Sequence, residues 1–539
     1  MMQKMNLTNL RENTFFVCLL LFVSLLPFSE ASVSITSGIL LFQSIVLASW
    51  KHPSFPHGSW KILLLISSVF MVYALGTIYT KDLHFAFYEW KKVIFWIIIP
   101  VAFYLSPTLS RDKFILVLFF FIFSVFLASL TGVVKILFSE YFHIIDFRKI
   151  ILISHIRYSF QIVLSIIILS WLLISKVKIP YIGFKPVFLT LLILWLIYFL
   201  VLLKSITGIV AFVGALLVFI LFLIANVSKL KLKIGLFAFI IIVILTPVLF
   251  VSYVWYNFYN TDNLDPQTVE RITVSGNPYS FDFSSKEKEN GHWVRAYLCE
   301  SEMKQEWNKV SSCKYDSIDK NGYPYSATLI RYLTSKGLRK DSAGVSQLTH
   351  KDIRAIEDGL ANHIFVDNTL SLYPRIYQTI WELDVYFRSG DPNFQSVSQR
   401  IEFIKASILL IKQYPWLGIG TGNWKIRYGE AYGEMHSKLY PENQGPSHNQ
   451  YLNYLVKFGI IGFIYIMGVI LIPVFAEGHK RNLFFWLFMI LIGIANFGDA
   501  NLETHMGLSF FCFFYCLFLW HSPADFRNFI FSSVRIRTS

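Results

Sequence analysis

The tripeptide Ser447-His448-Asn449 stands where a long hydrophilic stretch meets an apolar run. Histidine exchanges a proton near neutral pH without needing burial or a partner charge, so it suits a general base acting on a hydroxyl. Ser447 is a good N-cap, and Leu452, Leu455, Gly459 and Gly462 recur behind it at helical spacing. On this reading His448 sits in the first turn of a membrane helix, where the positive end of the helix dipole favours its neutral form. A polar helix start whose histidine satisfies a local hydrogen bond is the competing account.

The elements that must hold this residue are set by composition. The 539 residues are 55% hydrophobic, 17% aromatic and only 15% charged, with mean hydropathy +0.52. Globular chains carry roughly 25% charge, so a soluble protein is excluded. Lys61–Thr80, Lys113–Phe138, Val187–Leu203 and Ile234–Val254 each approach or exceed the ~20 residues that cross a bilayer. Such runs number about twelve, about nine before Val254 and about three after Ser447. The expected fold is an all-α polytopic membrane protein with one large, mainly helical extracytoplasmic loop between helices 9 and 10. The segments are 1–255 (membrane bundle), 256–446 (outer loop domain) and 447–539 (membrane helices and cytoplasmic tail). The first run, 14–29, is short and ends in a loose signal-peptidase pattern; it is kept here as a first helix.

The formal charge of +14 is a topology signal rather than a nucleic-acid footprint. With the N-terminus cytoplasmic, alternate connections hold Lys51, Lys176, Lys178, Lys185, Lys229, Lys231, Lys233, Lys480 and Arg481, and the tail holds Arg527, Arg535 and Arg537. Both termini are then cytoplasmic. Residues 256–446 fall outside and carry roughly 22 basic and 23 acidic residues, the balance of an ordinary folded surface. Cys18, Cys512 and Cys516 lie in apolar runs, whereas Cys299 and Cys313 lie outside, where thiols oxidise, and are a candidate disulfide.

Within the outer region, 256–325 reads as irregular structure or short strands. Beyond it, Thr349-His350-Lys351-Asp352 resembles a capping box, 369–388 reads as a helix, and Ser396 caps another with Ile401, Ile404, Ile408 and Ile411 on one face. Pro415 ends that helix, and Gly418, Gly420 and Gly422 follow at alternate positions. Glycines so spaced let a backbone approach a ligand and aim amides at it; a plain loop is the alternative, since the pattern is no nucleotide fingerprint.

In order, then, come Arg400, Pro415-x-x-Gly418-x-Gly420-x-Gly422, and Ser447-His448-Asn449-x-x-Leu452-x-x-Leu455-x-x-x-Gly459-x-x-Gly462. This ordered set, on a polytopic membrane protein, resembles the O-antigen ligase and polymerase superfamily of bacterial envelope enzymes. The resemblance is motif-level over about residues 396–465. It implies an inverting, metal-independent glycosyltransferase of the inner membrane with no cofactor and a periplasm-facing site. Its donor would be an undecaprenyl-pyrophosphate-linked glycan, and its acceptor a lipid A-core or growing glycan hydroxyl, among membrane lipids and without nucleic acid. His448 matches the family's catalytic histidine, Asn449 its usual neighbour, orienting the ring or the sugar. Arg400 matches an arginine whose bidentate fork suits a diphosphate; a solvated helix face is its alternative.

The family's second arginine has no counterpart in Leu203-Lys204-Ser205-Ile206-Thr207-Gly208, where Lys204 is either a point charge for the diphosphate or an interfacial anchor. Arg157, opening another helix, is a further candidate for the diphosphate or a snorkelling arginine. The last outer hairpin, Gly498 to His505, holds Asp499, Glu503 and His505; a polar turn, sugar bonding and metal binding are all open, and Glu503 is the candidate sugar contact. A polymerase and a protein oligosaccharyltransferase share this chemistry. A transporter or flippase is the reading from another class, but charge is scarce in the spans and polar groups gather at one face.

Overall fold

In the computed structural model the described residues are 2–47, 60–138, 147–183, 185–320, 322–367, 370–479, 482–523 and 526. Several expectations fall outside them: Thr369 as a helix start, and the topological residues Lys51, Lys480, Arg481, Arg527, Arg535 and Arg537. The protein is mostly helical, with one two-stranded hairpin among the described residues.

Along the chain run α1 (Met2–Leu25), α2 (Glu30–Val46), α3 (Trp60–Thr77), α4 (Leu83–Val93), α5 (Phe95–Leu105), α6 (Arg111–Leu137) and α7 (Phe147–Ile150). α8 (His155–Ile174), α9 (Pro186–Leu202), α10 (Ile206–Asn226) and α11 (Leu230–Tyr259) follow. Strands β1 (Lys288–Glu289) and β2 (His292–Trp293) precede α12 (Glu300–Val310), α13 (Tyr325–Ser335), α14 (Ser342–Ser346), α15 (His350–Glu357), α16 (Ile364–Asp367) and α17 (Tyr373–Ser389). Last come α18 (Ser396–Gln413), α19 (Trp424–Glu434), α20 (Gln450–Ala476), α21 (Leu483–Gly498) and α22 (His505–Trp520). Two compact units divide them: unit 1 is Met1–Val133, Arg148–Ile240 and Ser389–Ser539, and unit 2 is Val134–Phe147 and Ile241–Arg388. Residues 389–446 of the hydrophilic stretch thus pack with the apolar helices rather than with unit 2.

Six of the described helices (α3, α6, α8, α10, α11 and α20) are long and apolar enough to cross a membrane, and α2, α9, α21 and α22 are shorter apolar helices. In unit 1 the packing sorts them. α22 is buried on every side from Met506 to Trp520, against α5 and α2, because a helix apolar all round must be enclosed by protein or lipid. α10 lies along α21. In unit 2, Ile241 and Leu249 on α11 are exposed, the surface a lipid-facing helix presents.

Unit 2 has its own core, in which Met303, Trp307, Leu329, Tyr332, Leu333 and Ile356 are fully buried. This corrects the expectation that 256–325 is without helices: α12 lies inside it. Only Met303 and Trp307, one turn apart on an otherwise polar helix, face the core, too short an apolar stripe to register as a period. The capping box forms, with the Thr349 amide donating to Asp352 Oδ2 at 2.9 Å and the Asp352 amide donating to Thr349 Oγ1 at 3.3 Å. α18 opens at Ser396 with Gln395 as its cap, one residue earlier than expected. Asn290 and Gly291 adopt φ of 48° and 84° and fold β1 onto β2, the two-residue turn that Asn-Gly favours. A Cβ at Gly291 would stand 2.6 Å from the Asn260 carbonyl, so the hairpin tip rests on the segment just after α11. Cys299 and Cys313 are separate thiols, a correction to the disulfide candidate: Cys299 is buried at the start of α12 with its thiol near Ser301, and Cys313 packs at the edge of the core.

Candidate functional site

The cap of α20 is Asn449, not Ser447, and His448 lies before the helix rather than in its first turn. Asn449 has extended backbone, and its side-chain oxygen accepts from the amides of Tyr451 at 3.0 Å and Leu452 at 3.1 Å, two donors the helix leaves free. Its amide nitrogen donates to the Phe497 carbonyl at 3.3 Å. Asn449 therefore holds the helix start and joins it to the end of α21. Ser447 is buried and donates to Asn453 Oδ1 at 2.7 Å. Between the two, His448 adopts φ 51°, a left-handed conformation uncommon outside glycine, and this twist turns its side chain outward to 46% exposure.

The ring meets a partner that sequence spacing did not reveal. His448 Nδ1 lies 3.4 Å from Asp499 Oδ1, and Phe403 of α18 stands beside the ring with centroids 5.8 Å apart. Burial pushes the Asp499 carboxyl up, but the hydrogen bond and charge of His448, the Ala500 amide and the charge of Arg157 outweigh it and hold the group below the usual carboxylate value. Asp499 is thus ionised at neutral pH.

His448, Arg400 and Arg157 line one cavity of about 800 Å³ in unit 1, with Asp499, Lys92, Lys425, His84 and Glu503. Arg400, on α18, makes no hydrogen bond or ion pair among the described residues, and neither hydrogen bond nor ion pair holds Lys425, which lies over the rings of Phe85 and Trp424. Arg157, on α8, pairs with Glu30 at 2.5 Å, while its buried Nε has no partner among the described residues. The cavity is rich in fixed cations.

Part of its wall is a buried ion network. Lys457, on α20, bonds Glu503 at 2.8 Å and Glu89 at 2.7 Å, and Glu89 also pairs with Lys92. Tyr73 of α3 donates to Glu503 at 2.9 Å and Asn453 donates to it at 3.1 Å. Glu503 lines the cavity, yet its oxygens already accept from three protein donors, so its first role here is to fasten the last hairpin to α20 and α3. Lys457 is the residue whose importance the sequence left unread, although a lone charge inside an apolar helix is itself a signal of function or of a buried partner.

The glycine-rich turn has a different place from the one expected. α20 breaks at Gly459, where φ 62° and ψ −169° lie in a region only glycine tolerates, so the even helical spacing through Gly462 is interrupted. The break strips α20 of backbone partners, and the turn supplies them. The Ile419 and Gly420 amides donate to the Val456 and Lys457 carbonyls at 2.8 and 2.9 Å, and the Ile460 amide donates to the Pro415 carbonyl at 2.8 Å. A Cβ at Gly418 would lie 2.4 Å from the Lys457 carbonyl carbon, and one at Gly422 2.2 Å from the Asp82 carbonyl oxygen. Gly418 and Gly420 are absent from the cavity wall: close approach to α20, α3 and α4 accounts for them, and their amides serve protein carbonyls instead of a ligand. Lys204, with φ 51°, sits in the turn between α9 and α10 and is likewise not part of that wall; beside it Ser205 caps α10 and bonds Ser159 at 3.0 Å.

Residues 359–467 match the family model described as O-antigen ligase, and this stretch belongs to that family. No curated protein matches the chain. The match includes Arg400, His448, Asn449, Lys457 and Gly459; Arg157, Asp499 and Glu503 lie outside it. The matched stretch and the long apolar helices together support an integral membrane protein that carries an O-antigen ligase domain.

Proposed function

We propose that this chain, which carries an O-antigen ligase domain, is an inverting ligase: it moves a glycan from undecaprenyl pyrophosphate to a sugar hydroxyl of a lipid A-core acceptor. The observation that carries the reading is the convergence of His448, Arg400 and Arg157 on one cavity from three separate helices or helix starts. Asp499 accepts from Nδ1–H of His448, which leaves the Nε2 lone pair free for the acceptor hydroxyl. The acceptor oxygen attacks the anomeric carbon of the donor sugar and gives its proton to Nε2. The bond from that carbon to the diphosphate oxygen breaks, its electron pair leaving with the diphosphate. Attack from the face opposite the leaving group inverts the anomeric centre. Charge then grows in two places: Asp499 stabilises the imidazolium, and Arg400, Arg157 and Lys425 face the departing diphosphate.

The whole membrane layout is part of the same proposal. About twelve spans follow from the apolar runs, and cytoplasmic termini and a periplasmic 256–446 region follow from the Lys/Arg bias. A reporter active only in the cytoplasm, fused near Gly291, is silent on this topology; strong activity there reverses it. For the chemistry, purified protein is mixed with carrier-linked glycan and acceptor, and product is scored with and without a chelator. Product with lipid A-core and an undiminished rate with chelator support the ligase. Extension of the carrier-linked glycan without transfer to lipid A-core makes the protein a polymerase instead.

A further inference from the structure

Unit 2 contains a second cavity, of about 900 Å³, that the proposed chemistry does not use. One wall belongs to α11 and the residue after it. Phe250, Tyr253, Asn257 and Asn260 fall at i, i+3, i+7 and i+10, one face along which aromatic side chains give way to amides. Tyr253 is 58% exposed and meets Tyr373, at the start of α17, with ring centroids 6.2 Å apart.

The facing wall brings Asn290 from the hairpin tip together with Ser335 and His363. The Asn290 amide nitrogen donates to the Ser335 carbonyl at 2.9 Å, which identifies it as the nitrogen. It also lies 3.3 Å from His363 Nδ1, which Ser335 Oγ approaches at 3.2 Å, so protein groups surround that ring nitrogen. Burial lowers the affinity of His363 for a second proton. The charged groups of this wall are matched within the protein: Lys336 pairs with Asp352 at 2.7 Å, Asp367 with Lys351 at 3.1 Å, and His292 with Asp262. A phosphate would therefore meet no unpaired cation among the described lining residues.

What this lining does offer is carboxamides, each a donor and an acceptor at once, an imidazole ring, and tyrosine rings. Those are the complements of a pyranose, whose hydroxyls need paired donors and acceptors and whose C–H face packs on an aromatic ring. We propose that the unit 2 cavity is a binding site for an uncharged saccharide segment, held by Tyr253, Tyr373, Asn257, Asn260 and His363. Its position at the end of an apolar helix suits a glycan tethered to the membrane. Only the origin of the saccharide rests on the glycan-transfer reading; the site itself rests on the lining.

The test uses the intact protein in detergent and, as probe, the oligosaccharide released by mild acid from the source organism's surface glycan, which carries no diphosphate. Saturation-transfer NMR reports its binding. Tyr253→Ala and Asn257→Ala each weaken it roughly five- to tenfold, the factor expected for one lost contact. Both side chains are at least partly exposed, and an unchanged thermal midpoint confirms folding. Saturating inorganic pyrophosphate leaves the signal in place. Absence of binding, wild-type affinity in both variants, or displacement by pyrophosphate overturns the site. Transfer measured in parallel separates the two readings: full activity of His448→Ala removes the catalytic assignment and leaves this one standing, whereas unchanged binding by the unit 2 variants removes only the saccharide site.

Discussion

The two cavities are of similar size, about 800 Å³ in unit 1 and about 900 Å³ in unit 2, and opposite in electrostatic design. The first gathers Arg400, Arg157, Lys425 and Lys92 around a histidine–aspartate pair, with two of the four cations free of any ion pair among the described residues. The second neutralises its lysine and its aspartate internally and presents amides and rings. The difference is what separate handling of a diphosphate and a sugar would require. Unpaired guanidinium and ammonium groups stabilise charge as it appears, whereas an uncharged pyranose is recognised by groups that keep no net charge.

The comparison breaks most sharply at His448. His448→Ala lowers transfer by roughly 10²–10⁴-fold while the protein stays folded, read from single-turnover rates; near-normal transfer removes the chemical role of the unit 1 cavity. Next in size is the ion network in the wall of that cavity. Lys457→Met leaves Glu89 paired with Lys92 alone and takes from Glu503 its ion pair, and lowers stability by about 3–5 kcal/mol, the usual cost of breaking a buried pair. A thermal midpoint equal to wild type would mean the network does not fasten the last hairpin. Arg400→Lys keeps the charge and loses the fork, so transfer falls by about tenfold; full activity would reduce Arg400 to a point charge.

A pH effect in unit 2 sharpens the contrast from its side. Burial lowers the Lys340 ammonium to about 7, although it donates to the Trp293 carbonyl at 3.0 Å. A lysine depressed in the folded state binds fewer protons there than when unfolded, so folding becomes more favourable as pH rises from about 7 toward the ordinary lysine value near 10. Denaturation followed by near-UV signals should show this rise, and Lys340→Met should flatten it. An unchanged slope in the variant would assign the pH dependence to other groups.

Much of this was legible in the chain itself. Apolar runs of bilayer length, the capping box at Thr349 and the pairing of Arg400 with His448 in one family pattern depend on local composition or short spacing, and local signals survive without a fold. The cap on α20 was misread by two residues because Ser447 and Asn449 are both good caps, and only the left-handed turn at His448 decides which one faces the helix amides. Glycines in the 418–422 turn resembled a ligand loop because close approach to any backbone, bound or covalent, asks for the same missing Cβ.

What sequence alone determined is therefore the membrane character and the family pattern, with His448 and Arg400 as the candidates within it. Tertiary structure decided the partners: Asp499, 51 residues from His448, and Glu89, 368 residues from Lys457. Charge pairing acts through space and leaves no period in the chain, so contacts of that range become visible only when folding brings the helices together.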